Sequence, residues 1–112
     1  MINILILKDN QKNIKFIEAT GHSGYAEEGQ DIVCSAVSTL METLVTGLTE
    51  VVKAKAKIVV DESIPHLSVT LTEEDTEKCK YAQVLMQSTL LGIKGVAQGF
   101  SKFIKIKEKQ ND

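Results

Sequence analysis

No stretch of this 112-residue chain stays apolar for the roughly 18 residues a bilayer span requires, and no membrane association is expected. The opening run, Met1-Ile2-Asn3-Ile4-Leu5-Ile6-Leu7, lacks the basic n-region of a secretory signal, so it reads as a strand and the cytoplasm is the default compartment. Cysteine is scarce. Cys34 and Cys79 are the two in the chain, and a reducing cytosol disfavours a structural disulfide between them. With His22 and His66 they are too scattered for any familiar zinc spacing, so neither a metal nor a cofactor is expected. Positive charge is not in excess: 13 lysines and arginines face 15 acids, for a formal net charge of −2. That balance excludes nucleic-acid binding through a global basic field. The local run Lys102-Phe103-Ile104-Lys105-Ile106-Lys107 alternates, as an edge strand does when its lysines discourage edge-to-edge pairing. Linkers and low-complexity tracts are absent too, and the length suits one domain, 1–112, around one core.

What is present is clear periodicity. Ile2, Ile4 and Ile6 share a strand face, and Leu5 and Leu7 make the other face apolar as well. Lys8–Asn13 is a turn by composition, and Ile14–Thr20 returns as a second strand. From Asp31 to Val52 the spacing of Val33, Val37, Leu40, Met41, Leu44, Leu48 and Val51 predicts a helix whose apolar arc exceeds one solvent-facing stripe. Ala54–Asp61 and His66–Thr72 read as strands around the break at Ser63-Ile64-Pro65. Acidic residues 73–75 then open a second helix, where its dipole favours them. Along that helix Cys79, Ala82, Leu85, Met86, Thr89, Ile93 and Val96 share a side, with Val84 and Leu91 off it as a second contact, between subunits. Gly92, Gly95 and Gly99 weaken its end, which is expected before Phe100, and 102–107 is a fifth strand. The order β-β-α-β-β-α-β implies an α+β fold, a five-stranded sheet with two helices on one face. The ββα unit occurs twice, as a pattern and not as similar sequence.

The chemistry concentrates in Gly21-His22-Ser23-Gly24 and Gly29-Gln30-Asp31-Ile32-Val33-Cys34-Ser35-Ala36-Val37-Ser38. A thiol in a helix's first turn, with an imidazole brought from the adjoining loop, is the arrangement nucleophilic thiol catalysis requires. Asp31 suits the N-cap, its carboxylate accepting the Cys34 amide. A helix N-terminus stabilises negative charge by about 0.3–1 kcal/mol, less than the ~1.4 kcal/mol of one pKa unit. The helix therefore places the thiol, and activation falls to His22, the histidine near it in sequence. Ser38, four residues after Cys34 on the same face, is placed to orient His22, to bond a substrate, or to bond its own backbone. Amides near Cys34 and in the glycine loop are the natural oxyanion donors. Cys79, mid-helix on an apolar stripe, reads as core, and His66 as surface.

These two segments resemble the signature of the ribosomal-processing cysteine protease family, Prp. The resemblance extends to length, element order and the closing Gly99-Phe100-Ser101-Lys102-Phe103-Ile104, where Ser101 stands in place of the family's frequent proline. It implies a cysteine endopeptidase that removes a short N-terminal extension from a large-subunit ribosomal protein, cutting after an aromatic and before a small residue. On the matching positions Cys34 is the nucleophile and His22 the general base, with Gly21, Asp31 and Ser38 in support. The same resemblance implies that the loop 22–33, with Gly24, Tyr25 and Gly29, acts as a gate, and that the protein forms a homodimer with one active site per subunit. Two other readings of the residues stay open: a non-catalytic ribosome-assembly adaptor, and a thiol redox sensor built on Cys34.

Overall fold

The structure, a computed structural model, describes residues 1–27, 30–61 and 63–110. Strand β1 (Ile2–Lys8) and β2 (Ile14–Thr20) form a hairpin. Asp9 builds its turn, Oδ1 accepting the amides of Gln11 and Asn13 at 2.9 Å each. Helix α1 (Ile32–Thr46) follows, then β3 (Ala56–Asp61), β4 (His66–Leu71), helix α2 (Thr76–Gly99) and β5 (Ile104–Gln110). The sheet order is β3-β4-β2-β1-β5. All neighbours are antiparallel except β1 and β5, which pair in parallel through the α2 crossover. Element order and architecture thus agree with the expected α+β fold, and β5 is an edge strand with Lys105, Lys107 and Lys109 exposed.

Strand alternation decides which side the helices cover. Ile2, Ile4, Ile6, Ile17, Val69, Leu71 and Ile104 point to one face, and all are buried against Val33, Val37, Met41 and Leu44 of α1 and Ala82, Met86, Leu90 and Ile93 of α2. Leu5, Leu7 and Phe16 point the other way and are half-buried.

The helices run antiparallel, and each offers the other a glycine. A side chain at Gly47 would meet Leu85 at 2.9 Å, and one at Gly92 would meet Leu40 at 3.1 Å. The two leucine-into-glycine contacts lie one heptad apart along both helices. Gly92 therefore seats a neighbour and does not end α2, which continues to Gly99. That end falls before Phe100, as expected. The expected 31–52 helix differs at its end: Gly47–Val52 widens into a π turn, stopped by Lys53 in the left-handed region at φ 59°. By length and composition Ile32–Val52 could cross a bilayer. Here it buries one side in the core and exposes Ser35, Ser38, Thr39, Glu42 and Thr43 on the other.

Candidate active site

Strand β2 gives way to Gly21, whose φ of +89° and N–H donating a hydrogen bond to the Pro65 carbonyl (3.0 Å) turn the chain toward α1. A Cβ there would stand 2.5 Å from the Met1 carbonyl oxygen, so both backbone angle and space require glycine. His22 and Ser23 follow. Gly24, at φ +76°, reverses the loop again.

Asp31 caps α1 as expected. Its Oδ1 accepts the amides of Val33 and Cys34 at 3.0 Å each, and its backbone carbonyl accepts that of Ser35 at 3.1 Å. Its second oxygen, Oδ2, accepts the hydroxyl of Ser23. These donors, the Ser23 hydroxyl foremost, hold the Asp31 carboxyl down at about 2, against its ordinary 3.8. Ser23 is 3% exposed, and its Oγ also accepts the Tyr25 amide at 3.0 Å. Its own amide donates to the Cys34 sulfur at 3.3 Å. The loop is thus fastened to the helix start by one residue on both the capping carboxylate and the thiol.

His22 and Cys34 line the same open cleft of about 1100 Å³. One wall is α1, with Cys34, Ser38, Met41 and Val45; the floor is sheet that the helices leave bare, with Ala19, Ile58, Val60 and Leu67. Cys34 is half-buried, His22 and Ser38 exposed. Among the described residues the His22 ring and the Ser38 hydroxyl make no hydrogen bond, so neither is hydrogen-bonded to the sulfur; what is bonded to it is the amide next to His22. Tyr25 leaves the cleft. Its ring packs edge-on against Phe100 at 5.4 Å and Phe103 at 5.3 Å, anchoring the loop in the corner between α2 and β5. Gly29 lies outside the described residues. His66 is half-buried and paired, its Nε2 2.9 Å from Glu18 Oε2, where the sequence places a surface histidine. Cys79 is half-buried on α2, its thiol donating to the Glu73 carbonyl at 3.2 Å.

Sequence reading passes over two features of this site. Ser23 lies inside the Gly21–Gly24 segment, but its contacts have no linear signal, because Asp31 and Cys34 meet it only when the loop closes on the helix. Phe100 and Phe103 likewise acquire their role from the fold. Among the described residues no three of His, Cys, Asp and Glu stand close enough to hold a metal.

The geometry agrees with the sequence comparisons. The family described as cysteine protease Prp matches residues 1–105. The ribosomal processing cysteine protease Prp of Bacillus subtilis (strain 168) is 23% identical over 107 residues, 95% of this chain and 96% of its own length. Among crystal structures, the essential ribosomal processing protease Prp from S. aureus, in complex with a covalently linked product peptide, has the same fold. It superposes with a TM-score of 0.89 at 20% identity over 97% of this chain and 100% of that one. SMU.848 from Streptococcus mutans gives a TM-score of 0.85 at 29% identity, over 99% and 96%. The chain belongs to the Prp family of cysteine proteases.

Proposed function

We infer that this protein is a cytoplasmic cysteine endopeptidase that removes the N-terminal extension of a large-subunit ribosomal protein precursor. The observation that carries the reading is one cleft holding a thiol in the first turn of a helix together with a histidine from the adjoining loop. A cleft floored by bare sheet has the shape for an extended peptide lying across Cys34. The names of the relatives, ribosomal processing proteases, support the substrate class, and the S. aureus relative holds a covalently linked product peptide.

In this reading Cys34 attacks the scissile carbonyl as thiolate, His22 having taken its proton. The tetrahedral adduct collapses to an acyl-enzyme as His22 protonates the leaving amine, and water drawn in by His22 hydrolyses the thioester. Asp31 holds the helix start, Gly21 lets the loop turn, and Ser38 stands in the cleft wall to bond the substrate. Loop displacement at Gly24 and Tyr25 admits the peptide. The reaction balances without a cofactor. A homodimer is part of the reading, supported by Tyr81, Val84 and Leu91, which form one exposed side of α2.

The test is intact-mass analysis of the host's precursor after incubation with wild type and with Cys34→Ala. A single cut near the N-terminus, absent with the variant, is expected. An uncut precursor that binds both proteins equally would replace the protease reading with that of an adaptor.

A further inference from the structure

In proteases whose thiol opens a helix, the nucleophile's own amide is the obvious oxyanion donor. Here that amide is taken. The N–H of Cys34 is bound to Asp31 Oδ1, which also takes the N–H of Val33, while the Ser35 N–H goes to the Asp31 carbonyl. The capping carboxylate, its pKa held down at about 2 by these same donors, is ionised at working pH and so remains an acceptor for them. The amide that reaches the sulfur comes from the loop instead, Ser23 N–H at 3.3 Å.

We propose that the backbone N–H of Ser23 is the oxyanion donor of the reaction, and that the buried Ser23 hydroxyl is what aims it. The inference rests on the protease reading above. When the Cys34 sulfur bonds the carbonyl carbon, the π pair of the C=O moves onto oxygen. That oxygen is held two bonds from the sulfur, within reach of a donor already pointed at the sulfur. On collapse the pair re-forms C=O, the C–N bond breaks, and the amine leaves with the proton from His22. The hydroxyl fixes the donor's direction from both sides, donating to Asp31 and accepting from Tyr25 N–H. One residue therefore links helix cap, loop and reacting carbonyl.

The test replaces that N–H alone. A synthetic 1–33 thioester carrying glyceric acid in place of Ser23, so that an ester follows His22, is ligated to the 34–112 fragment at its N-terminal Cys34. The same ligation with an all-amide 1–33 segment is the control. On a peptide spanning the precursor's cleavage site, kcat is expected to fall about 100- to 1000-fold with KM little changed. Alkylation of Cys34 by iodoacetamide, a displacement at saturated carbon with no oxyanion, should change by no more than a few-fold. Ser23→Ala keeps the N–H and loses its aim, so kcat should fall about two- to tenfold, again with alkylation preserved. An ester chain as active as the control overturns the proposal, as does alkylation that falls in step with kcat. If the ester chain does not reproduce the control's circular dichroism, Ser23→Ala decides by the same split. A control that cuts nothing counts against the protease reading, and not against the role of Ser23 within it.

Discussion

Asp31 Oδ1 stands 3.0 Å from the amide nitrogen of Cys34, so the carboxylate that starts the helix also fixes the backbone of the thiol residue. Its sign with pH follows from the lowered pKa. A carboxyl depressed in the folded state stabilises the fold above its unfolded value, near 3.8, and loses that contribution as pH falls toward about 2. Between pH 5 and pH 2 the urea midpoint of wild type should therefore fall more steeply than that of Asp31→Asn. Parallel curves would show that the capping carboxylate does not titrate with folding.

The two thiols offer an internal comparison. Cys34 lines the cleft, while the Cys79 thiol donates to the Glu73 carbonyl on α2. Iodoacetamide at neutral pH, followed by peptide mass mapping, should modify Cys34 at least about tenfold faster. His22→Ala should bring the two rates together. Equal rates in wild type would remove His22 as the activating group in the resting protein.

Tyr25 tethers the loop through two edge-to-face contacts, each of a kind that contributes about 0.5–1.5 kcal/mol beyond burial. Tyr25→Ala should speed hydrogen exchange at the Ser23 and Tyr25 amides by about tenfold. Tyr25→Phe, which keeps the ring, should leave both near wild type. A Phe variant as fast as the Ala variant would assign the tether to the hydroxyl.

Gly21 and Gly24 both have positive φ, yet only Gly21 faces an obstacle, the Met1 carbonyl. Gly24→Ala should carry backbone strain of about 1 kcal/mol and lower Tm by about 4–8 °C. Gly21→Ala adds a clash with backbone and should lower Tm further. It should also lower kcat/KM for the precursor peptide, because His22 is the next residue. Equal melting temperatures for the two variants would mean that the Met1 segment yields freely.

What the sequence makes legible is what neighbours in the chain decide. Period-two alternation marks β1 and β4, the turn composition of 8–13 marks β2 as the returning strand, the apolar arc marks α1, and the Asp31 cap follows from a side chain three residues from the amide it binds. Pairings across the chain leave no such trace. β1 meets β5 in parallel because α2 carries the chain back over the sheet, and Gly47 and Gly92 serve Leu85 and Leu40, residues far away in sequence. The π turn at Gly47–Val52 extends a helical pattern that reads as regular. In the site, His22 and Cys34 stand out by type, whereas Ser23 matters only through a loop closure that no spacing encodes.

The register of β1 has a practical corollary for anyone labelling the protein. Met1 abuts Gly21, and Ile2 lines the cleft, so a tag or dye joined at the N-terminus sits at the mouth through which a peptide must enter. Gln110 pairs with Lys8 at the opposite end of the same strand pair, about 20 Å away by the rise of six residues. A handle at that end leaves the entrance clear, and activity lost on N-terminal fusion alone would report crowding at the door and not damage to the chemistry.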